Sequence, residues 1–144
     1  LASAHHDATI NIWDPTSGRR CASFHAGTEH VFALASLRDG RLASSGIDGL
    51  IRLWEPAAGL ETAPLVAHAA AVSCLAELPD GWLASGAFDH TTRIWDMLTG
   101  SEVARFEGQG EWVTAMVALP DGRLAWATAN DHVVRLWEPQ FRAP

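Results

Sequence analysis

The apolar positions of this chain come in short runs bounded by turn residues, as in Val72-Ser73-Cys74-Leu75-Ala76, Trp82-Leu83-Ala84-Ser85, Thr92-Arg93-Ile94-Trp95 and Val103-Ala104-Arg105-Phe106. Runs of this length between Gly, Pro and Asp predict strands, here four in succession. Pro79-Asp80-Gly81 provides a tight turn between the first two, because Pro presets one backbone torsion and Gly accepts positive φ. The Asp48-Gly49 pair and its relatives close the second hairpin, and turns at Gly18, Gly59 and Gly100 close the third.

This set of four recurs. Trp13, Trp54, Trp95 and Trp137 stand 41, 41 and 42 residues apart, each followed by Asp or Glu. Leu-Ala-Ser at residues 1, 42 and 83, the turns Arg38-Asp39-Gly40, Pro79-Asp80-Gly81 and Pro120-Asp121-Gly122, and Asp7, Asp48, Asp89 and Asp131 keep the same phase. A period near forty marks a repeat architecture. A lone four-stranded meander cannot bury both of its faces, so the units are expected to stack side by side around an axis.

With these markers in phase, the chain resembles the WD40-repeat β-propeller family over essentially its whole length. The resemblance implies an all-β fold of four-stranded antiparallel blades, most commonly seven to a ring. Residues 1–144 then form one propeller segment with units at about 1–26, 27–67, 68–108 and 109–144. Counting from Leu1 gives three strands, two complete sets of four and three more, 14 in all. The first unit lacks its inner strand, and the run Trp137-Glu138-Pro139-Gln140-Phe141-Arg142 lacks the turn glycine, so the repeat is read as ending there. The expectation is the C-terminal part of a larger propeller, with missing blades upstream or self-association through open edges.

The formal charge is −7, with 17 acidic residues against 10 basic, all of them Arg. Arg52, Arg93 and Arg135 fall two residues before a Trp, one per unit, and are read as packing or pairing between blades. Spread in this way they form no phosphate-binding patch, and nucleic acid is not expected as a partner. Cys21 and Cys74 occupy non-equivalent positions and suggest reduced thiols. No apolar run approaches the roughly 18 residues of a membrane span, and a cytoplasmic protein is expected.

Ser85, His68 and Asp89 are the components of a nucleophilic triad. Their slots, however, are those in which the resembled family places a structural tetrad of Trp, Ser or Thr, His and Asp. A buried imidazole accepts from the hydroxyl and donates to the carboxylate, while the hydroxyl accepts the indole N–H. On this reading His68, Ser85, Asp89 and Trp95 form a complete tetrad. Ser44, Asp48 and Trp54, then Ser3, Asp7 and Trp13, supply three members each; His25 lies too far from Val31 for a certain link. Asp131 and Trp137 remain in the fourth unit, with Gln109 in the histidine slot and Trp126-Ala127 displacing the serine. No catalytic residue, metal site or cofactor is expected: His5, His6, His25 and His30 lack Cys partners or helical spacing, and Gly108-Gln109-Gly110 lacks the phosphate-loop context.

A binding face remains. Neighbours of Val31, Val72 and Val113, and the residue before each structural Asp, fall at one loop end of the propeller, where the resemblance implies partner contacts. These slots read His30, Phe32 and Ile47; Ala71, Ser73 and Phe88; Trp112, Thr114 and Asn130; and His6. Apolar and aromatic side chains at hairpin tips are candidate interface anchors. The expected function is a non-catalytic scaffold binding a protein or peptide through Phe88, Trp112, Ile47, Phe32, His30, His6 and Asn130. The alternative is a sensor propeller taking a peptide or small ligand at its axial channel to regulate an attached signalling domain.

Overall fold

The computed structural model describes residues 1–27, 29–62, 64–107 and 110–139. Gln109 and the run from Gln140 onward, both used in reading the fourth unit, lie outside the described residues.

Four antiparallel sheets follow one another along the chain. The first holds β1 (Ala2–Ala4), β2 (Thr9–Trp13) and β3 (Arg20–His25). The second holds β4 (Val31–Ser36), β5 (Leu42–Gly46), β6 (Leu50–Glu55), β7 (Leu60–Glu61) and β8 (Leu65–Val66). The third holds β9 (Val72–Glu77), β10 (Trp82–Ala87), β11 (Thr92–Asp96) and β12 (Ser101–Phe106), and the fourth β13 (Val113–Ala118), β14 (Leu124–Thr128) and β15 (Val134–Trp137). The described residues thus carry 15 strands rather than 14. The extra one arises because β7 and β8 both pair with β6, at Trp54–Glu55 and at Leu50–Ile51. They are two halves of one outer strand, interrupted where Pro64 offers no N–H to the ladder.

The residue after each hairpin Asp has left-handed φ: Ala8 +66°, Gly49 +78°, His90 +67° and His132 +56°. Three of the four are not glycine, so the turn demands the conformation more than the residue. At Gly49 the demand is also steric, since a Cβ would stand 2.5 Å from the His68 carbonyl oxygen.

Packing between sheets follows one rule. An apolar side chain on the outer strand of one sheet covers the tryptophan of the next: Phe24 lies 4.8 Å from Trp54 and Phe106 5.5 Å from Trp137, ring centre to ring centre, while Leu65 joins the cluster around Trp95. Ile51, Leu53, Thr92 and Ile94 are at most 5% exposed between sheets. Their counterparts in the fourth sheet, Val134 and Leu136, are 68% and 57% exposed, and Val117 beside them 53%. Among the described residues nothing covers this face of the last sheet. Among the described residues no helix is long and apolar enough to cross a membrane.

Candidate interaction surface

The third sheet brings all four tetrad positions into one chain of bonds. Trp95 Nε1–H donates to Ser85 Oγ (2.8 Å), which is 2.7 Å from His68 Nε2, and His68 Nδ1 is 3.0 Å from Asp89 Oδ2. Thr91 and the Ala69 amide also donate to Asp89, and Arg93 pairs with it. Burial pushes the His68 imidazole below its ordinary pKa, and Asp89 only partly restores it. For Asp89, burial opposes ionisation, but bonds from Thr91 and the proximity of His68 outweigh it and hold the carboxyl below its usual range. A neutral imidazole donating to Asp89 and accepting from Ser85 satisfies every member. Ser85 has no exposed surface, so no substrate carbonyl can reach Oγ, and these bonds tie strands together rather than assemble a nucleophile.

Both shifts are downward, so the stability they provide is present above the unfolded pKa values and lost on acidification. For His68 the loss begins below roughly pH 6.5. Thermal melts are therefore expected to fall between about pH 7.5 and 5 in the parent chain, and to fall less in His68→Gln, which has no proton to gain at that site. A parent melting temperature as high at the acid end would contradict the neutral-imidazole arrangement.

The other sheets solve the same problem differently. In the second, Trp54 donates to Ser44 (2.8 Å), but His25 is exposed and its ring accepts the Gly27 amide. Arg52, only 8% exposed, neutralises Asp48 (2.7 Å) and Glu61 (3.3 Å). In the first, Trp13 donates to Ser3, and Ser3 and Asn11 converge on His5, while Asp7 accepts the Thr9 amide. In the fourth, register places Trp126 opposite Arg135, as Ser44 stands opposite Arg52 and Ser85 opposite Arg93. An aromatic cluster of Trp126, Phe106 and Trp137 occupies the region where the third sheet has its polar chain. Asp131 instead takes bonds from Thr128, the Val133 amide and Arg135, which lower its pKa to about 2.

The arginines correct one expectation. Arg52, Arg93 and Arg135 make their ion pairs within their own sheets, because each sits on the third strand beside its sheet's hairpin carboxylate; Arg52 and Arg93 also reach an outer-strand Glu, Glu61 and Glu102.

At the loop end of the sheets the aromatic candidates meet. His6 stands 5.0 Å from His30, His30 6.4 Å from Phe32, Phe32 6.2 Å from Phe88, and Phe88 5.0 Å from Trp112, measured between ring centres. This ladder crosses all four sheets. Phe32 and Trp112 are 42% and 50% exposed, whereas Phe88 is half-buried between them. Ile47, also exposed, donates its amide to the His30 carbonyl beside the ladder.

Simple alternation does not place these side chains. Phe32, Ser73 and Thr114 are each the extra residue where the first strand slips against the second, and a bulge re-aims its side chain. Ser73 is spent between sheets, donating to the Gly86 and Val113 carbonyls, and Ala71 is buried. Asn130 is exposed at φ +62°, but the rim bond to the Trp112 carbonyl is made by Ala129, because the longer fourth hairpin shifts the slot by one residue. Beside His6 and His30 lies an open cavity of about 500 Å³, reached also by Asp7, His25 and Glu29. No three His, Cys, Asp or Glu side chains among the described residues are placed to hold a metal ion.

The family model for the WD domain, G-beta repeat, matches residues 18–55, 60–96 and 100–138. The chain belongs to the WD40 family. Each matched window is one strand out of phase with the sheets, taking the outer strand of one and the inner three of the next. A solved structure of U3-55K superimposes on this WD40 chain with a TM-score of 0.87 at 28% identity, over 94% of the chain and 44% of the U3-55K chain. A crystal structure of the RRP9 WD40 repeats gives 0.86 at 29%, over 94% and 43%. This chain therefore spans less than half the length of these WD40 structures. No curated protein matches it in sequence. WD40 propellers generally serve as protein-interaction scaffolds and are typically non-catalytic.

Proposed function

We propose that this chain is a scaffold module that binds a partner protein or peptide through the aromatic ladder at its loop end. The observation that carries the reading is the continuity of His6, His30, Phe32, Phe88 and Trp112 across four sheets with two of the rings about half exposed. Large rigid rings on a scaffold of hydrogen-bonded strands lose little entropy on docking and offer apolar area that water solvates poorly. Adjacent rings also contact one another, edge-on at His6–His30 and stacked at Phe88–Trp112.

Phe32→Ala and Trp112→Ala are expected to weaken partner capture from a cell extract by roughly thirtyfold, the equivalent of about 2 kcal/mol. The melting temperature should stay nearly unchanged, because exposed tips add little to the fold. Phe88→Ala, removing the middle rung, should weaken capture and lower the melting temperature together. Undiminished capture by Trp112→Ala would place the contact elsewhere.

A further inference from the structure

Charges are distributed unevenly around the ladder. Arg52, Arg93, Arg105 and Arg135, the arginines of this end of the sheets, are each engaged by carboxylates, Arg105 by Glu102 and Glu107. Arg38, Arg41 and Arg123 belong to the opposite turns, where Arg41 and Arg123 pair with Asp39 and Asp121. By contrast, no arginine of the described residues pairs with Asp7, Glu29 or Glu111. Asp7 and Glu29 line the cavity at the His6–His30 end, and Glu111 precedes Trp112 at the other. The ladder thus runs between carboxylates that no arginine among the described residues neutralises, in a chain whose formal charge is already −7.

We infer that the occupant of this surface is an extended basic segment of a partner protein, with an Arg or Lys side chain seated in the cavity beside Asp7 and Glu29. This deepens the scaffold reading and rests on it. A cation near these carboxylates gains Coulomb attraction, and ring faces along the ladder attract cations through their quadrupole. His6 Nδ1 and His30 Nδ1 are engaged with each other, 3.1 Å apart, and His25 Nδ1 with the Gly27 amide, so the cation is met by the carboxylates and the ring faces. A segment of six or seven residues, at roughly 3.3 Å each, has the reach of the ladder. A nucleic acid would bring phosphates against the same carboxylates, where the arginines of this end of the sheets are already engaged by carboxylates.

The test uses fluorescein-labelled dodecapeptides of one Leu/Ser/Gly background carrying three arginines, three glutamates or no charge, and a labelled oligouridine of equal length, titrated against the whole protein by fluorescence anisotropy. The arginine peptide is expected to bind most tightly, to weaken roughly five- to tenfold on Glu29→Gln, and to weaken as salt rises from about 50 to 300 mM. The inference is overturned if the arginine peptide has no advantage over the glutamate peptide, if the oligouridine binds as well, or if Glu29→Gln changes nothing. Trp112→Ala probes the underlying reading separately. Binding that ignores charge but is lost on Trp112→Ala removes the basic occupant and keeps the ladder. Binding indifferent to Trp112→Ala removes the ladder itself.

Discussion

Trp95→Ala is expected to lower unfolding stability by about 3–5 kcal/mol, and Trp13→Ala by less than half of that. Trp95 is 5% exposed in a cluster with Ile51, Leu53 and Leu83. Its truncation leaves a large void between the second and third sheets and removes the indole N–H from the buried Ser85 hydroxyl. Trp13 donates to Ser3 in the same way, but it is only half-buried and no outer strand of a preceding sheet covers its ring among the described residues. Trp95→Phe separates the two contributions, since it retains most of the ring volume and loses only the donor, for about 1–2 kcal/mol. Urea melts with unchanged slope would measure all three. Equal losses at positions 95 and 13 would contradict the packing rule between sheets.

Residues 1–144 produced alone are expected to self-associate with rising concentration, and Val134→Lys with Leu136→Lys to restore a monomer of 15.5 kDa. The fourth sheet presents Val117, Val134 and Leu136 to solvent, although the equivalent side chains of the second and third sheets are packed between sheets. Burying each such side chain is worth about 1.5–3 kcal/mol, so two open faces gain by meeting. The inner edge of β1 adds unpaired backbone groups at the other end. Light scattering of both versions checks this. A monodisperse parent monomer, or a double variant that associates equally, would refute the role of this face.

Much of this architecture was legible because the repeat writes each decision several times. Strand number per sheet, the three turn classes and the Trp-to-Ser bond follow from residues that recur in phase. What escaped the reading depends on events at single positions. Pro64 splits an outer strand because one amide is missing. The bulges that turn Phe32 and Thr114 outward leave no mark in apolar spacing, since a single inserted residue merely looks like imperfect alternation. Trp126 occupies the serine slot because the extra residue of the fourth unit is absorbed in the hairpin; counting two residues on from Leu124, as from Leu42 and Leu83, finds it, whereas counting back ten from Trp137 lands on Ala127. From sequence Arg52 reads as packing or pairing between blades, because Asp48, four residues before it, and Glu61, on the outer strand, meet at one guanidinium only once the sheet is built.

The one-strand offset between the matched repeats and the sheets bears on how such a chain can lengthen. A tandem duplication of any forty-odd residues that begins at an outer strand and ends after the next Trp inserts a whole sheet's content without leaving a strand unclaimed. The new outer strand completes the sheet before it, and the displaced one completes the new sheet. Each copy is therefore stitched to both neighbours by the covalent chain as well as by packing, so a nascent duplicate inherits partners on two sides at the moment it arises.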